Sequence, residues 1–428
     1  MLRKKILVKP TVSLLAAGLL VLNTAMPLVH AAELSLEDSI ALALQNNPSI
    51  KMAAADKDKA VWGIKENEGG NLPSLSVANS NNRSSGAVEG AGVSNNFNTS
   101  LRVNWPLYTG GRTEALIDQA KYNANIADAG VAKAKEQVKL DATTAYYSVL
   151  QNNNLLKVNQ QTVDNLAAHL KNVQAQYQVG TIAKSDVLRS EVELANAQQN
   201  LTKAQNAYDV SVANFNNVVG LPLDSQNTMK DELAYEAFTM SLDDSIKMAV
   251  EKRPEILQSQ DTINAAKAGI KVADSGKLPT ITASGSQGWT GSKFPGDNSN
   301  WTVGVSANWN VFDAGVTDAK RKEAQANMEK VQQSDQQLRS AIELEVRQAY
   351  SSMKEAEARI ETSKVAVDKA NEDLKASQAK YYAGVGTNLD VIDAQVALTQ
   401  AETNSTQALY DYNVNKAKLQ KAIGSGVE

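Results

Sequence analysis

Residues 315–383 read GVTDAKRKEAQANMEKVQQSDQQLRSAIELEVRQAYSSMKEAEARIETSKVAVDKANEDLKASQAKYYA, a run without proline and without internal glycine. The run is rich in Ala, Gln, Lys and Glu, which favour a continuous helix. At 1.5 Å per residue a helix of this length spans on the order of 100 Å, far more than a compact domain needs. Residues 111–179 have the same character, interrupted only by Gly130. The sequence therefore predicts two long helical rods.

Each rod is followed by a glycine turn, at Gly180 and Gly384, and then by a return helix over about 183–219 and about 388–423. Apolar residues recur there at spacings of three and four, but small residues interrupt them, so the predicted coiled-coil seam is shallow. A helix that is polar on most of its surface is unstable alone. We therefore expect packing on two flanks, around a wet lumen.

The two rods belong to an internal repeat, which a search at long periods reveals. The paired landmarks keep their order and nearly constant spacing. They are LSLEDSI at 34–40 and MSLDDSI at 240–246, NPSI at 47–50 and RPEI at 253–256, LPSL at 72–75 and LPTI at 278–281, and WPLY at 105–108 and WNVF at 309–312. This pattern predicts a first repeat over 32–239, with helical hairpin 112–219, and a second over 240–428, with helical hairpin 315–423.

Each repeat also contains a predicted β-hairpin, over about 72–108 and about 278–312. Apolar and polar residues alternate strictly in 97–108 and 301–312, which is a strand pattern. Strands of about 9–11 residues with one polar face suit a water-filled membrane barrel. A soluble sandwich with one wet face shows the same alternation, so the strands alone leave both architectures open.

Four strands per chain are too few to close a membrane barrel, since the smallest bacterial barrels have eight. Open strand edges in lipid would leave unpaired backbone groups. Subunits must therefore pool strands: three copies would supply twelve and two copies eight.

The first 31 residues have the features of a signal peptide: a basic start, a short apolar core over 12–21, and a cleavage pattern ending at Ala31 or Ala32. A signal anchor is the alternative. No later segment approaches the ~20 apolar residues of a membrane helix. We expect an exported protein whose membrane crossing, if any, uses strands.

Composition argues against most catalytic chemistry. The chain of 428 residues has no cysteine and two histidines, and its net charge of -4 offers no basic face for nucleic acid. His30 lies in the leader, and His169, in a polar helical run, is expected to be an ordinary surface residue. No catalytic triad, phosphate loop or paired-histidine motif is present. We predict neither enzymatic activity nor a cofactor or metal.

The ordered motifs resemble the TolC-type outer-membrane efflux family. The resemblance rests on the leader, the repeated Leu…Ile…Asn-Pro opening, Leu-Pro-Ser at 72–74, Tyr-Thr-Gly-Gly-Arg at 108–112 and the turn sequence 381–394. It implies a mixed α/β membrane protein: a homotrimer whose twelve-stranded β-barrel in outer-membrane lipid continues into a long α-helical coiled-coil barrel in the periplasm. It further implies a periplasmic adaptor protein and an inner-membrane transporter as partners, with efflux of small or toxic molecules as the function.

The resemblance also implies an entrance constriction formed by Asp390 and Asp393 together with Tyr381. The alternative for an Asp in the first turn of a helix is stabilisation by the helix dipole, worth ~0.3–1 kcal/mol. At the matching place of the first repeat, Asp186 and Arg189 are possible gate partners. They are spaced to pair locally, unless Arg189 reaches another carboxylate.

Adaptor docking is expected at the two turns, through Gly180, Thr181, Gly384 and Gly386. A glycine there serves the backbone first, as a helix C-cap. Gly386 occupies the position where the family often has an arginine of the entrance latch.

Three other functions remain for comparison. The exit channel of a type I protein secretion system would use the same duct, and the sequence cannot separate it from efflux. A coiled-coil adhesin or periplasmic spacer without a pore would have no reason to repeat an alternating hairpin in each half. A diffusion porin would lack the long helices.

Overall fold

The computed structural model describes residues 33–85 and 93–425. The predicted signal peptide lies outside these residues. The helices are α1 (Leu36–Asn46), α2 (Pro48–Gly69), α3 (Arg112–Gln178), α4 (Lys184–Val219), α5 (Leu242–Lys252), α6 (Pro254–Asp274), α7 (Val316–Tyr382) and α8 (Asn388–Ala422). The strands are β1 (Glu33–Leu34), β2 (Ser74–Ser85), β3 (Val93–Tyr108), β4 (Thr228–Met229), β5 (Thr280–Gly291) and β6 (Asn298–Asn308).

The repeat is visible in how its short helices begin. The Ser35 hydroxyl accepts a hydrogen bond from the Asp38 amide at the start of α1, at 3.1 Å. Ser241 and Asp244 repeat this cap at the start of α5, at the same distance. Such caps satisfy amides that the first helical turn leaves unpaired. Proline then opens both α2 and α6, where its missing N–H costs nothing.

The predicted rods are confirmed as α3 and α7, each a continuous helix of 67 residues. Such a helix is about 100 Å long. The rod α3 packs along α4 and α7 along α8, and we name these pairs the first and second helical hairpins. Apolar clusters around Tyr146 and Phe215 in the first and Met353 and Tyr412 in the second form the core near the short helices.

The four predicted long strands are also confirmed, in one antiparallel sheet of order β2-β3-β5-β6. Alternate rows across the sheet face opposite sides. One row carries Leu75, Val103, Gly285 and Val303, and the next carries Ser76, Arg102, Ser286 and Thr302. Each outer strand pairs on one side only, so β2 and β6 leave two free edges. One chain therefore provides a sheet with an apolar face, a polar face and no closure.

Two tryptophans fasten the strands to the helical part in matching ways. The Trp105 indole N–H donates to the Asn71 carbonyl at 3.2 Å, and the Trp309 indole donates to the Lys277 carbonyl at 3.1 Å. Asn71 lies just before β2, and Lys277 lies just before β5. A large aromatic with a satisfied polar end suits a boundary between apolar and wet surroundings.

One feature was missed by the sequence analysis: β1 and β4 form a short parallel pair. Strands of two residues are too short to show periodicity. Tyr146 holds this pair against α3, because its hydroxyl lies 2.7 Å from the Asp231 carboxylate and 3.1 Å from the Leu34 carbonyl. Both β1 and β4, which lies between the repeats, are thereby joined to the first rod.

Candidate functional site

The two glycine turns lie at the ends of α3 and α7 remote from the sheet. Gly180 and Gly384 have φ values of +79° and +75°, a conformation that glycine adopts without steric cost. After each, the chain closes back on its rod: the Thr181 amide donates to the Gln176 carbonyl, and the Val385 amide to the Lys380 carbonyl, both at 3.0 Å. The backbone role expected for these glycines is therefore present.

Gly386 is required for another reason. A Cβ atom at this position would lie 3.0 Å from both the Lys380 Cβ and the Tyr381 amide nitrogen. This turn is thus too tight for a larger residue unless the backbone moves. The absence of the usual arginine at Gly386 is consistent with the local packing.

Asp390 lies in the first turn of α8, as the helix-dipole alternative expects, and it also forms a capping box with Thr387 that the sequence analysis did not predict. Its amide donates to the Thr387 hydroxyl at 3.2 Å, and its carboxylate accepts from the Thr387 amide at 2.8 Å. These hydrogen bonds hold the pKa of Asp390 below its ordinary value, so the carboxylate is ionised at neutral pH. Asp393 lies one turn further on, and both carboxylates are exposed. Capping and display to a lumen are therefore compatible.

Tyr381 is packed inside the subunit, at 5% exposure. In this conformation it contributes almost no surface to a lumen. The predicted gate partners Asp186 and Arg189 form no ion pair with each other, or with any other side chain of residues 33–85 and 93–425. Arg189 is exposed on α4, and Asp186 accepts through its main-chain carbonyl from the Asn388 amide group at 3.0 Å.

The expectation that His169 is a surface residue is wrong, since only 4% of it is exposed. Its Nε2 lies 2.7 Å from the Asn388 Oδ1, which also accepts from the Ser190 hydroxyl at 3.1 Å. The imidazole meets the Tyr381 ring edge-on, with centroids 5.1 Å apart. We name these four residues the tip cluster: α3, α4, α7 and α8 each contribute one.

A signal for this burial was present in the sequence. Leu166, His169 and Val173 are spaced by three and four residues, and all three are buried on α3. This spacing is that of one helix face. His169 thus continues an apolar stripe, which the polar residues between its members obscured.

The tip cluster ends a line of polar contacts between α3 and α8. Further along the two helices, Thr162 and Thr399 are joined at 2.8 Å, and Asn165 and Gln395 at 3.0 Å. Gln151 and Gln407 are joined at 2.6 Å. The contact between the two helical hairpins therefore depends on side-chain hydrogen bonds as well as apolar packing.

Residues 33–85 and 93–425 contain no cluster of His, Asp or Glu that could hold a metal ion. None of their helices is both long enough and apolar enough to cross a membrane.

The paired hairpins, long rods and open sheet match a known family. The model of the outer membrane efflux protein family matches residues 39–221 and again residues 245–425. The chain belongs to this family. Membership confirms the resemblance seen in the sequence, and with it the outer-membrane efflux role at the level of the family. The family and the fold are those of channel proteins.

Similarities to individual proteins support the same family assignment. Outer membrane protein TolC of Escherichia coli is 25% identical over 395 residues, covering 89% of this chain and 80% of TolC. Alkaline protease secretion protein AprF of Pseudomonas aeruginosa is 24% identical over 267 residues, covering 59% and 54%. The open-state crystal structure of the Neisseria gonorrhoeae MtrE outer membrane channel superposes with a TM-score of 0.77 at 18% identity, covering 95% and 94%. The last likeness confirms the predicted fold class.

Proposed function

We propose that three copies of this chain form an outer-membrane exit duct that passes small or toxic molecules from the periplasm to the exterior. The observation that carries this proposal is the unclosed four-stranded sheet fused to rods of 67 residues. Unpaired edges are costly in lipid, so copies must join edge to edge. Three such sheets supply twelve strands, an even number that encloses a lumen.

The faces of the sheet support its placement in a membrane. The apolar row is exposed in the single subunit, with Leu75 at 67% and Val303 at 75%. A soluble protein would cover such a patch. With this face toward outer-membrane lipid, the row of Ser76, Arg102 and Ser286 faces the lumen. The rods then extend into the periplasm, and the leader supplies the export signal.

The entrance is proposed at the far end of the rods, where Asp390 and Asp393 would form two rings of three carboxylates. Rings of like charge attract cations, so the open channel should prefer cations and be blocked by multivalent ones. The cap formed with Thr387 fixes Asp390 in its ionised form. Replacing both residues by Ala should weaken selectivity and block in planar bilayers, whereas an unchanged reversal potential would contradict this role.

The glycine turns are the proposed docking site for a periplasmic adaptor, which would connect the duct to an inner-membrane transporter. Val179 and Val385 beside the turns are 75% and 78% exposed, and Thr181 is exposed with them. Large exposed apolar side chains at the end of a polar rod are typical of a contact surface.

The decisive experiment is purification in detergent, followed by mass measurement, imaging and recording in planar bilayers. We expect a trimer, an elongated outline and single-channel currents. A well-folded monomer that is stable without detergent would end this proposal.

A second function is favoured by one specific observation. The similarity to AprF, whose name describes protease secretion, extends over more than half of this chain. An exit channel for protein secretion would use the same duct. Deleting the gene and measuring both drug susceptibility and secreted protein would separate the two, since efflux predicts the first phenotype alone.

A further inference from the structure

The tip cluster differs from the rest of the contact between the helical hairpins because it contains the one histidine of the described residues. His169 is bonded to Asn388 across the boundary between the first and second hairpins. Ser190 adds a bond from α4 to the same Asn388 oxygen. Opening an entrance at this end requires the hairpins to separate here.

The hydrogen-bond network fixes the tautomer of His169. The Asn388 amide nitrogen donates to the Asp186 carbonyl at 3.0 Å, so the Asn388 oxygen must face the imidazole. An oxygen only accepts, and Nε2 therefore carries the proton and donates. Nδ1 is then the site where a second proton would be added, which would create a cation in a site that is 4% exposed.

Burial opposes that second proton. It lowers the pKa of His169, and this effect outweighs the hydrogen bond that His169 donates to Asn388, which acts in the opposite direction. Ionisable groups are present on all four surrounding helices. They are Lys171 on α3, Asp186 and Arg189 on α4, Lys380, Tyr381 and Tyr382 on α7, and Asp390 and Asp393 on α8. Burial of a cation without a paired carboxylate is costly.

Tyr381 makes the cluster less stable than its burial suggests. Its hydroxyl is buried and has no hydrogen-bond partner among residues 33–85 and 93–425. A buried polar group without a hydrogen-bond partner destabilises the packing around it. The other bonds between α3 and α8 join Thr, Asn and Gln side chains, which do not titrate. Among the hydrogen bonds of this line, that of His169 is therefore the one whose own side chain can gain a proton near neutral pH.

We propose that His169 is an acid-sensitive latch, whose neutral form holds the two helical hairpins together at the glycine turns and whose protonation lets the entrance widen. The proposal rests on the proposed duct. In this chain the tip cluster would then hold the entrance closed, because Gly386 has no side chain that could do so.

The direction of the pH effect follows from linkage. In the separated state His169 is solvated and has an ordinary pKa of about 6.5, whereas in the closed state its pKa is lower. The closed state binds fewer protons than the separated state. Its stability relative to the separated state is therefore fully present above the ordinary histidine pKa, and it is lost as the pH falls from there through the depressed pKa. Each unit of difference between the two pKa values shifts the equilibrium about tenfold toward opening.

The test compares single-channel conductance of full-length protein in planar bilayers at about pH 7.5 and about pH 5, on either side of the ordinary histidine pKa. We expect the wild type to conduct more at the lower pH. H169Q keeps a donor but cannot titrate, so it should stay at the low conductance at both values. H169A and N388A should conduct more at both, while T162A, which removes a bond of the same line, should keep the wild-type pH response.

Asp390 and Asp393 are unchanged in every one of these variants, so the difference between wild type and H169Q isolates the imidazole. Identical pH profiles for the two would overturn the latch. Absence of any channel activity, in wild type and variants alike, would instead count against the duct itself.

A measurement independent of current uses the absence of cysteine from the chain. A nitroxide on V385C, at a position 78% exposed, reports the distance between copies at the turns by pulsed electron spin resonance. We expect this distance to lengthen in acid in the otherwise wild-type protein and to stay constant when H169Q is added. Equal distances at both pH values in the His169 protein would overturn the proposal.

Discussion

The helices α2 and α6 occupy the same place in the two repeats, yet their surroundings differ. α6 lies between α3 and α7 and buries several residues, including Ile256 and Ile263. α2 packs chiefly on α3 and buries none, with Trp62 72% exposed. Thus α2 is packed on one side, whereas α6 is packed on two. In the proposed trimer, the free side of α2 is where the α7 of a neighbouring copy is expected.

The residues that begin these helices carry the same contrast. Arg253 precedes α6, is 4% exposed, and bonds Glu255 twice at 3.1 Å and Glu345 of α7 once at 2.5 Å. Asn47 precedes α2, caps it through the Ser49 amide at 2.9 Å, and donates to a carbonyl of α4. Arg253 therefore joins α6 to α7 through ion pairs, whereas Asn47 joins α2 to α4 through a neutral hydrogen bond.

The largest expected effect comes from R253A. Burial alone would raise the pKa of Glu255, but the hydrogen bonds and charge of Arg253, together with a backbone amide and Lys133, keep the pKa below its ordinary value. Removing Arg253 leaves the buried Glu255 carboxylate with Lys133, at 3.8 Å, as its remaining cation. Breaking a buried ion pair in this way costs about 3–5 kcal/mol. Thermal unfolding in detergent should show a strongly lowered midpoint. If R253A lowers the unfolding midpoint no more than N47A does, the buried ion pairs of α6 contribute no more stability than the neutral cap of α2.

The next effect concerns assembly rather than folding. W62D places a charge on the uncovered side of α2, and a central interface aromatic is commonly worth about 2 kcal/mol or more. We expect the trimer fraction to fall in mass measurements while the helical content by circular dichroism stays unchanged. W62F, which keeps an aromatic side chain at this position without adding charge, is the matched control. Trimers of normal stability in W62D would show that α2 is not at an interface.

A smaller effect is expected for N47A, which removes the cap of α2. Loss of such a cap typically costs about 1 kcal/mol. N47D keeps an acceptor for the Ser49 amide and should restore most of the stability. If N47A and N47D melt together, below the wild type, the bond to α4 rather than the cap is responsible.

The smallest effect is expected for K57A. Lys57 and Asp128 join α2 to α3 by an ion pair of 2.7 Å, but both side chains are largely exposed. Solvent screens such pairs and their net contribution is small. The unfolding midpoint should stay within experimental error of the wild type, at low and at high salt. A shift comparable to that of R253A would mean that exposure does not separate the two ion pairs.

Local patterns predicted the elements of this fold. The composition of 315–383 suffices for a rod because helix propensity acts residue by residue, and the alternation in 97–108 suffices for a strand. The first-turn position of Asp390 on α8 was predicted from the local sequence, but its capping hydrogen bonds with Thr387 were not. The division into repeats at residue 240 and the docking role of the turns stay predictions.

Tertiary structure decided the environments. His169 looked like a surface residue because the polar positions around it dominate its helix, and only the approach of α8 brought Asn388, 219 residues away, to its ring. Likewise the patterns of α2 and α6 do not reveal that one is covered on two sides. Periodicity records which face of a helix is apolar. What covers that face depends on packing between segments distant in the chain and, for α2 in the proposed trimer, on a further copy.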